Sequence, residues 1–403
     1  MSEASTLTET VPNAPQRTSL NVNVRDYALL GALITIVLFF QFRTDFKLLL
    51  PANVNNLISQ NAYVVILAIG MVMVIIAGHI DLSVGSLVAM IGAISAIAIK
   101  TWDQPVWVSI LLALVVGAAV GAWQGFWVAF VRVPAFIVTL AGMLIFRGLA
   151  IVFLTKGTIG GLPESYVAIG ARWVPQDWLG TVNDLDILTL GIGVLAVIGY
   201  LVSQFNARRK LKTRDLPRES TLVFAIKSVL IVGAMLAFSY RLAQHNGTPW
   251  VLILLGVLIL AYTFVLNRTV FGRHIYAMGG NRFAAMMSGV KTKWVDFFIF
   301  VNIGTLAAVA AIVTTSRAGA AQSGAGNFYE LDAIASVFIG GAAVAGGVGK
   351  VSGAVLGALV MGVLNQGLSI MSVDSAWQQV VKGLVLLAAV AFDVINRRRS
   401  GTS

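Results

Sequence analysis

Apolar runs long enough to cross a bilayer recur along almost the whole chain, and no other feature narrows the possible folds as far. Counting runs of roughly 17 to 25 residues places twelve spans, near 27–42, 57–77, 82–99, 106–130, 134–154, 185–205, 221–242, 250–267, 295–316, 331–345, 351–371 and 377–395. Hydrocarbon offers no water to the backbone, so each span must close its own hydrogen bonds, and segments of this length do so as helices. The expected fold is an all-α polytopic membrane protein with about 12 transmembrane helices. Of the 403 residues 58% are hydrophobic and 11% charged, more apolar surface than a water-soluble core can hide. The segment at 331–345 is short for a bilayer, and whether it crosses fully or re-enters stays open at this point.

Charge gives the orientation. Eighteen of the 28 Lys and Arg fall in the intervals on one side, seven on the other, and three, Arg147, Lys227 and Lys382, inside spans. Lys and Arg favour the cytoplasmic side, so both termini are expected there. The net charge of +11 then reflects basic residues gathered on one membrane face, and nucleic acid is not expected as a partner. Residues 1–24, rich in Ser, Thr, Asn and Pro, read as a disordered cytoplasmic tail, residues 25–396 as the transmembrane domain, and residues 397–403 as a second tail. With no cysteine and with His79, His245 and His274 far apart, no metal site is expected. Gly346-Gly347-Val348-Gly349-Lys350 misses the phosphate-loop pattern at its first glycine and its last hydroxyl, so no nucleotide cofactor is expected either. No Ser, His, Asp or Glu cluster suits catalysis, and the chain reads as a transport protein rather than an enzyme.

The longest polar interval of the second half, residues 268–293, carries Arg268, Arg273, Arg282, Lys291 and Lys293 and no acid, which marks it as cytoplasmic. Within it Asn281-Arg282-Phe283-Ala284-Ala285-Met286-Met287-Ser288-Gly289-Val290 has the pattern of a short helix. Phe283, Met286, Met287 and Val290 fall on one apolar face, while Ala285, Ser288 and Gly289 keep the other side slim. Such a helix lies on the bilayer surface or in a partner's groove.

Polar groups inside or beside the spans are the candidates for a translocation path: Asp81, Ser83, Arg147, Asn302, Asp332, Asn365 and Gln366. Asp81 and Ser83 stand in Gly78-His79-Ile80-Asp81-Leu82-Ser83, where a helix break is expected, either as a capped turn or as a break that lines a path. Arg147 sits where a charge is costly, so it faces a partner or snorkels outward; Lys227 and Lys382, nearer span ends, are expected to snorkel. Asn302, Asn365 and Gln366 suit the passage of a neutral hydroxylated solute and interhelical hydrogen bonds alike. Gly353-x-x-x-Gly357 predicts close helix approach. Outside the membrane, Tyr166, Trp173 and Trp178 in the long loop 155–184 mark a surface helix or an extracytoplasmic contact.

Five blocks in order carry a resemblance: Ile80-Asp81-Leu82-Ser83-Val84-Gly85-Ser86, residues 139–148, Phe271-Gly272-Arg273 leading to Gly279-Gly280-Asn281, Glu330-Leu331-Asp332-Ala333-Ile334-Ala335, and Gly346-Gly347-Val348-Gly349. Together they resemble the permease subunit of bacterial monosaccharide ABC importers, the ribose, xylose, arabinose and galactose group. The extra pair of spans at 185–242, joined by the basic stretch 207–220, looks like the longer xylose or multiple-monosaccharide branch, added to a ten-helix core. The resemblance implies ATP-driven import of a monosaccharide across the bacterial inner membrane. It also implies a cytoplasmic ABC ATPase, a periplasmic sugar-binding protein and a second copy of the chain as partners, with membrane lipid around them. Ala284-Ala285-x-x-x-Gly289 is similar to the motif by which such permeases couple to their ATPase. The alternative is an ion-coupled secondary sugar transporter of the twelve-helix major-facilitator type. It needs ionisable groups near the midplane, whereas Asp296 and Asp393 lie at span ends.

Overall fold

A computed structural model describes residues 24–214 and 220–399. The tail expected at 1–24 lies outside the described residues up to position 23, as does the end of the tail expected at 397–403 beyond Arg399. In chain order the helices are α1 (Val24–Arg43), α2 (Pro51–Ile76), α3 (Val84–Lys100), α4 (Val106–Phe126, running on as a π turn to Val131), α5 (Ala135–Phe153), α6 (Glu164–Ala171), α7 (Ile187–Thr213) and α8 (Thr221–Ala243). They continue as α9 (Trp250–Arg268), α10 (Val270–Gly280), α11 (Arg282–Met287), α12 (Thr292–Ala318), α13 (Tyr329–Ile339), α14 (Val351–Ile370) and α15 (Ser375–Arg399). Proline at the first helical position opens α2, and prolines just before the start precede α4, α5, α6 and α9, where a missing N–H costs nothing.

Eight of these helices are long and apolar enough to cross a membrane, and α1, α3 and α15 contain shorter apolar stretches. The element expected at 331–345 is not a full span. α13 has 11 residues, about 16 Å at the helical rise, roughly half of a ~30 Å hydrocarbon layer. After α13 the chain turns, and Gly347 donates its N–H to the carbonyl of Ile76 at 2.9 Å, level with the inner end of α2. At its other end, Gly326 and Glu330 lie against Gly85 in the first turn of α3. Two interrupted helices therefore begin beside each other, α3 after the expected break at 77–83 and α13 after the loop 319–328.

From Ala62 onward α2 is apolar all round, and every residue from Asn61 to Ala77 is buried. Against it pack α12, α14, α13, α9 and α8. α12 also packs along α4 and α3, and α14 along α13 and α1. The predicted small-residue seam is the α13–α14 contact: Gly353 meets Gly340, and Gly357 meets the carbonyl of Ser336, each too closely for a side chain to intervene. α7 and α8 pack on each other, and their exposed Leu195, Ile198, Leu222 and Val229 form a lipid-facing rim. On the outer side two short antiparallel ladders, Ile159–Gly160 with Ala320–Ala321 and Thr181–Val182 with Leu185–Asp186, pin the loops.

Candidate coupling surface and polar path

The stretch 268–293, expected on the cytoplasmic side, folds into two short helices rather than one. α10 was not foreseen; Thr269 starts it by accepting the N–H of Gly272 at 3.1 Å. α11 begins where expected, with Asn281 Oδ1 accepting the N–H of Ala284 at 2.9 Å, the capping role its residue type favours. It ends at Gly289, whose φ of +85° lets the N–H of Val290 close back on the carbonyl of Ala285 at 3.1 Å. Phe283 and Met287 are 68% and 64% exposed, Met286 is exposed beside them, and Ala285 is buried. The apolar face thus points outward, as a docking face requires. Two details differ from expectation: Val290 is half-buried and turns toward the body, and Gly289 has open space around it. Its left-handed backbone by itself favours glycine at this position. Tyr276 on α10 donates its hydroxyl to the carbonyl of Gly349 at 2.7 Å, and burial pushes its pKa above the ordinary tyrosine value, so the donor is kept.

Arg282 reaches back from α11 and grips Asp296 of α12 with both terminal nitrogens. The same carboxylate meets Nε2 of His79 at 3.0 Å. Asp296 is fully buried, a position that its location near a span end did not suggest.

In the break between α2 and α3, Asp81 Oδ1 accepts from the Ser83 N–H at 2.8 Å and from its hydroxyl at 2.7 Å. Gln124 of α4 donates to Ser83 Oγ at 2.7 Å, and Thr139 of α5 donates to the carbonyl of Ile80 at 3.2 Å. A second cluster surrounds Asp332 on α13. Its Oδ2 accepts from the Tyr63 hydroxyl at 2.6 Å, from Lys382 at 2.9 Å and from Asn365 at 3.4 Å. Tyr63 stacks on Tyr329 with ring centroids 3.5 Å apart. Lys382 does not snorkel: turned inward, 17% exposed, it pairs with a fully buried carboxylate. Arg147 also turns to the protein, donating to the carbonyls of Ser323 and Ala325 at 2.8 Å each, just before α13.

The candidate path residues thus fall into three places. Asp81 and Ser83 share the break, Asp332 and Asn365 share the α13 cluster, with Gln366 buried next to Asn365 in the α14 sequence, and Arg147 holds the loop leading to α13. Asn302 stands apart, tying α12 to Tyr262 of α9 and Met73 of α2. Gln124 Oε1, Glu330 Oε2, Asp332 Oδ1, Asn365 Oδ1 and Gln366 Oε1 are buried acceptors with no donor among the described residues. Tyr63, Gln124, Glu330 and Lys382 were not singled out for this role. Lys382 was the most legible of them, since a charge in an apolar run calls for a partner.

On the outer side Trp173 donates its indole N–H to Asn55 at 3.0 Å and Tyr166 of α6 is buried, so both aromatics hold the loop in place. Trp178 remains 63% exposed.

The family described as branched-chain amino acid transport system / permease component matches residues 53–173 and 177–390. The chain is 39% identical over 384 residues to the xylose transport system permease protein XylH of Escherichia coli (strain K12), covering 94% of each. It is equally identical over 384 residues to XylH of Haemophilus influenzae, covering 94% of this chain and 98% of the relative. Identity to the ribose import permease protein RbsC of Escherichia coli (strain K12) is 32% over 342 residues, 85% of each chain. No solved structure matches the chain.

Proposed function

The chain belongs to the branched-chain amino acid transport system / permease component family, and on that footing we propose that it imports a monosaccharide, with a pentose such as xylose the first candidate. It is a multi-pass inner-membrane permease subunit and not an enzyme. ATP is hydrolysed by a separate ABC ATPase, and a periplasmic sugar-binding protein delivers the substrate. Two copies of the permease enclose one path.

The observation that carries this reading is the exposed apolar face of α11, capped at both ends and anchored to α12 through Arg282 and Asp296. Residues 281–290 are the ATPase contact, with Phe283, Met286 and Met287 filling its groove. Closure of the ATPase pair on ATP moves α11, and the permease changes access from the outer side to the inner side. This requires that the groove bind the two states unequally. Along the path, Asp81, Ser83, Asp332, Asn365 and Gln366 meet the sugar, whose hydroxyls supply donors to the unpartnered acceptors around α13. Arg147 holds the entrance loop, and Asn302 fastens helices.

A self-powered major-facilitator carrier is not favoured by the family. The buried carboxylate of α13 is already paired with Lys382, which leaves it poorly suited to carry a coupling ion.

The test is uptake of radiolabelled xylose into vesicles holding the purified permease, with and without each partner. Uptake is expected only when ATPase, ATP and binding protein are all present. Ion-driven accumulation by the permease alone would overturn the proposal. Phe283→Glu and Met287→Glu are each expected to abolish co-purification of the ATPase.

A further inference from the structure

We propose that Asp296 and His79 are positioning residues that carry movement of the docking helix α11 into the break between α2 and α3. The inference rests on α11 being the ATPase contact and adds how its displacement reaches the transmembrane body.

Two groups from two elements meet at one fully buried carboxylate on a third: Arg282 from α11 and His79 from the break both reach Asp296 of α12. A carboxylate only accepts, so Nε2 of His79 carries the hydrogen in this contact. Separating either partner from a buried charge is costly, so the three are bound to shift together. From His79 the break leads on without slack. Its next residue, Ile80, is held by Thr139 of α5; Asp81 holds Ser83, and Ser83 holds Gln124 of α4. Two residues further, Gly85 lies against Gly326 and Glu330, where α13 starts. At the other end of the break the carbonyl of Ile76 is bonded to Gly347, in the loop between α13 and α14.

One short extended segment is thus fastened to α11 at its inner end and to both interrupted helices beyond. α11 itself packs only on neighbouring α10 and α12 among its stronger contacts. α12 packs along α3, and Gly279 of α10 lies against Ile76 and Gly347, so packing also joins these two helices to the body; the Asp296–His79 contact adds a polar link that enters the break directly.

The test uses the full complex in vesicles and reads sugar molecules imported per ATP hydrolysed under stimulation by the loaded binding protein. Loss of folded complex lowers import and hydrolysis together and leaves that ratio unchanged, whereas a broken relay lowers the ratio. His79→Ala is expected to keep ATPase co-purification at the wild-type level and to lower the ratio at least tenfold. His79→Gln, which restores an N–H donor toward Asp296, is expected to recover part of it. Asp296→Asn should resemble His79→Ala; if it fails to accumulate, the His79 pair decides alone. A ratio within twofold of wild type in His79→Ala overturns the relay. Normal co-purification of the ATPase with Phe283→Glu would instead overturn the docking reading, and the relay with it.

Discussion

Replacing Lys382 by methionine tests the Asp332 cluster most directly, because it keeps the length of the side chain and removes only its charge. Asp332 is fully buried and Lys382 17% exposed, with their charged atoms 2.9 Å apart. Removing one partner of a buried ion pair costs about 3–5 kcal/mol, chiefly through the charge left behind. Here the Tyr63 hydroxyl at 2.6 Å still donates to the same oxygen, so the lower end, about 3 kcal/mol, is expected. That corresponds to roughly a hundredfold shift toward the unfolded form. Asp332→Asn with Lys382→Met removes both charges, and the pair of substitutions should cost no more than about 1 kcal/mol, since the surviving groups are neutral. A double-mutant cycle on the purified permease, read by thermal or denaturant unfolding in detergent, measures the coupling. Additive single effects, or a Lys382→Met protein as stable as wild type, would refute the reasoning and return Lys382 to the lipid interface.

Three further outcomes are expected. Gly357→Val forces a side chain onto the carbonyl of Ser336 and should destabilise the α13–α14 seam by about 1–3 kcal/mol or more, seen as a lower unfolding temperature. Gly289→Ala and Gly289→Arg should weaken ATPase co-purification to a similar extent, because both meet the same left-handed backbone cost of about 1–2 kcal/mol and the Cβ of either has open space around it. A far larger effect of arginine would show that bulk, not backbone, decides. Arg147→Met loses two charge-assisted bonds to Ser323 and Ala325 and should destabilise the loop before α13 by about 1.5–3 kcal/mol per bond at most; sugar uptake at unchanged ATPase co-purification checks it.

The crossing helices were readable because hydrocarbon imposes a minimum length on each run, and α4, α9 and α12 fall close to where the runs lie. The break at 77–83 was readable from Asp81 and Ser83, and the α13–α14 seam from glycine spacing. The docking helix was found from one apolar face, although α10, immediately before it, was overlooked amid basic residues and glycines. What stayed hidden is pairing over distance. Tyr63 and Asp332 are 269 positions apart and His79 and Asp296 217 apart, and no local pattern announces either contact. Nearness to a span end points Lys382 toward the interface, a rule that ignores whether an acid waits on the neighbouring helix. Asp296 was discounted for the same reason.

From Asn61 to Ala77 α2 is enclosed by other helices, so along that stretch it has no free flank on which to slide or tilt. A part gripped this way serves as a fixed axle, and rearrangement must take place around it. The two helices that stop short, α3 and α13, are themselves buried along most of their length, and their starting ends meet at Gly85 and Glu330. Any rearrangement around that axle has either to carry these two packed starts along together or to part them.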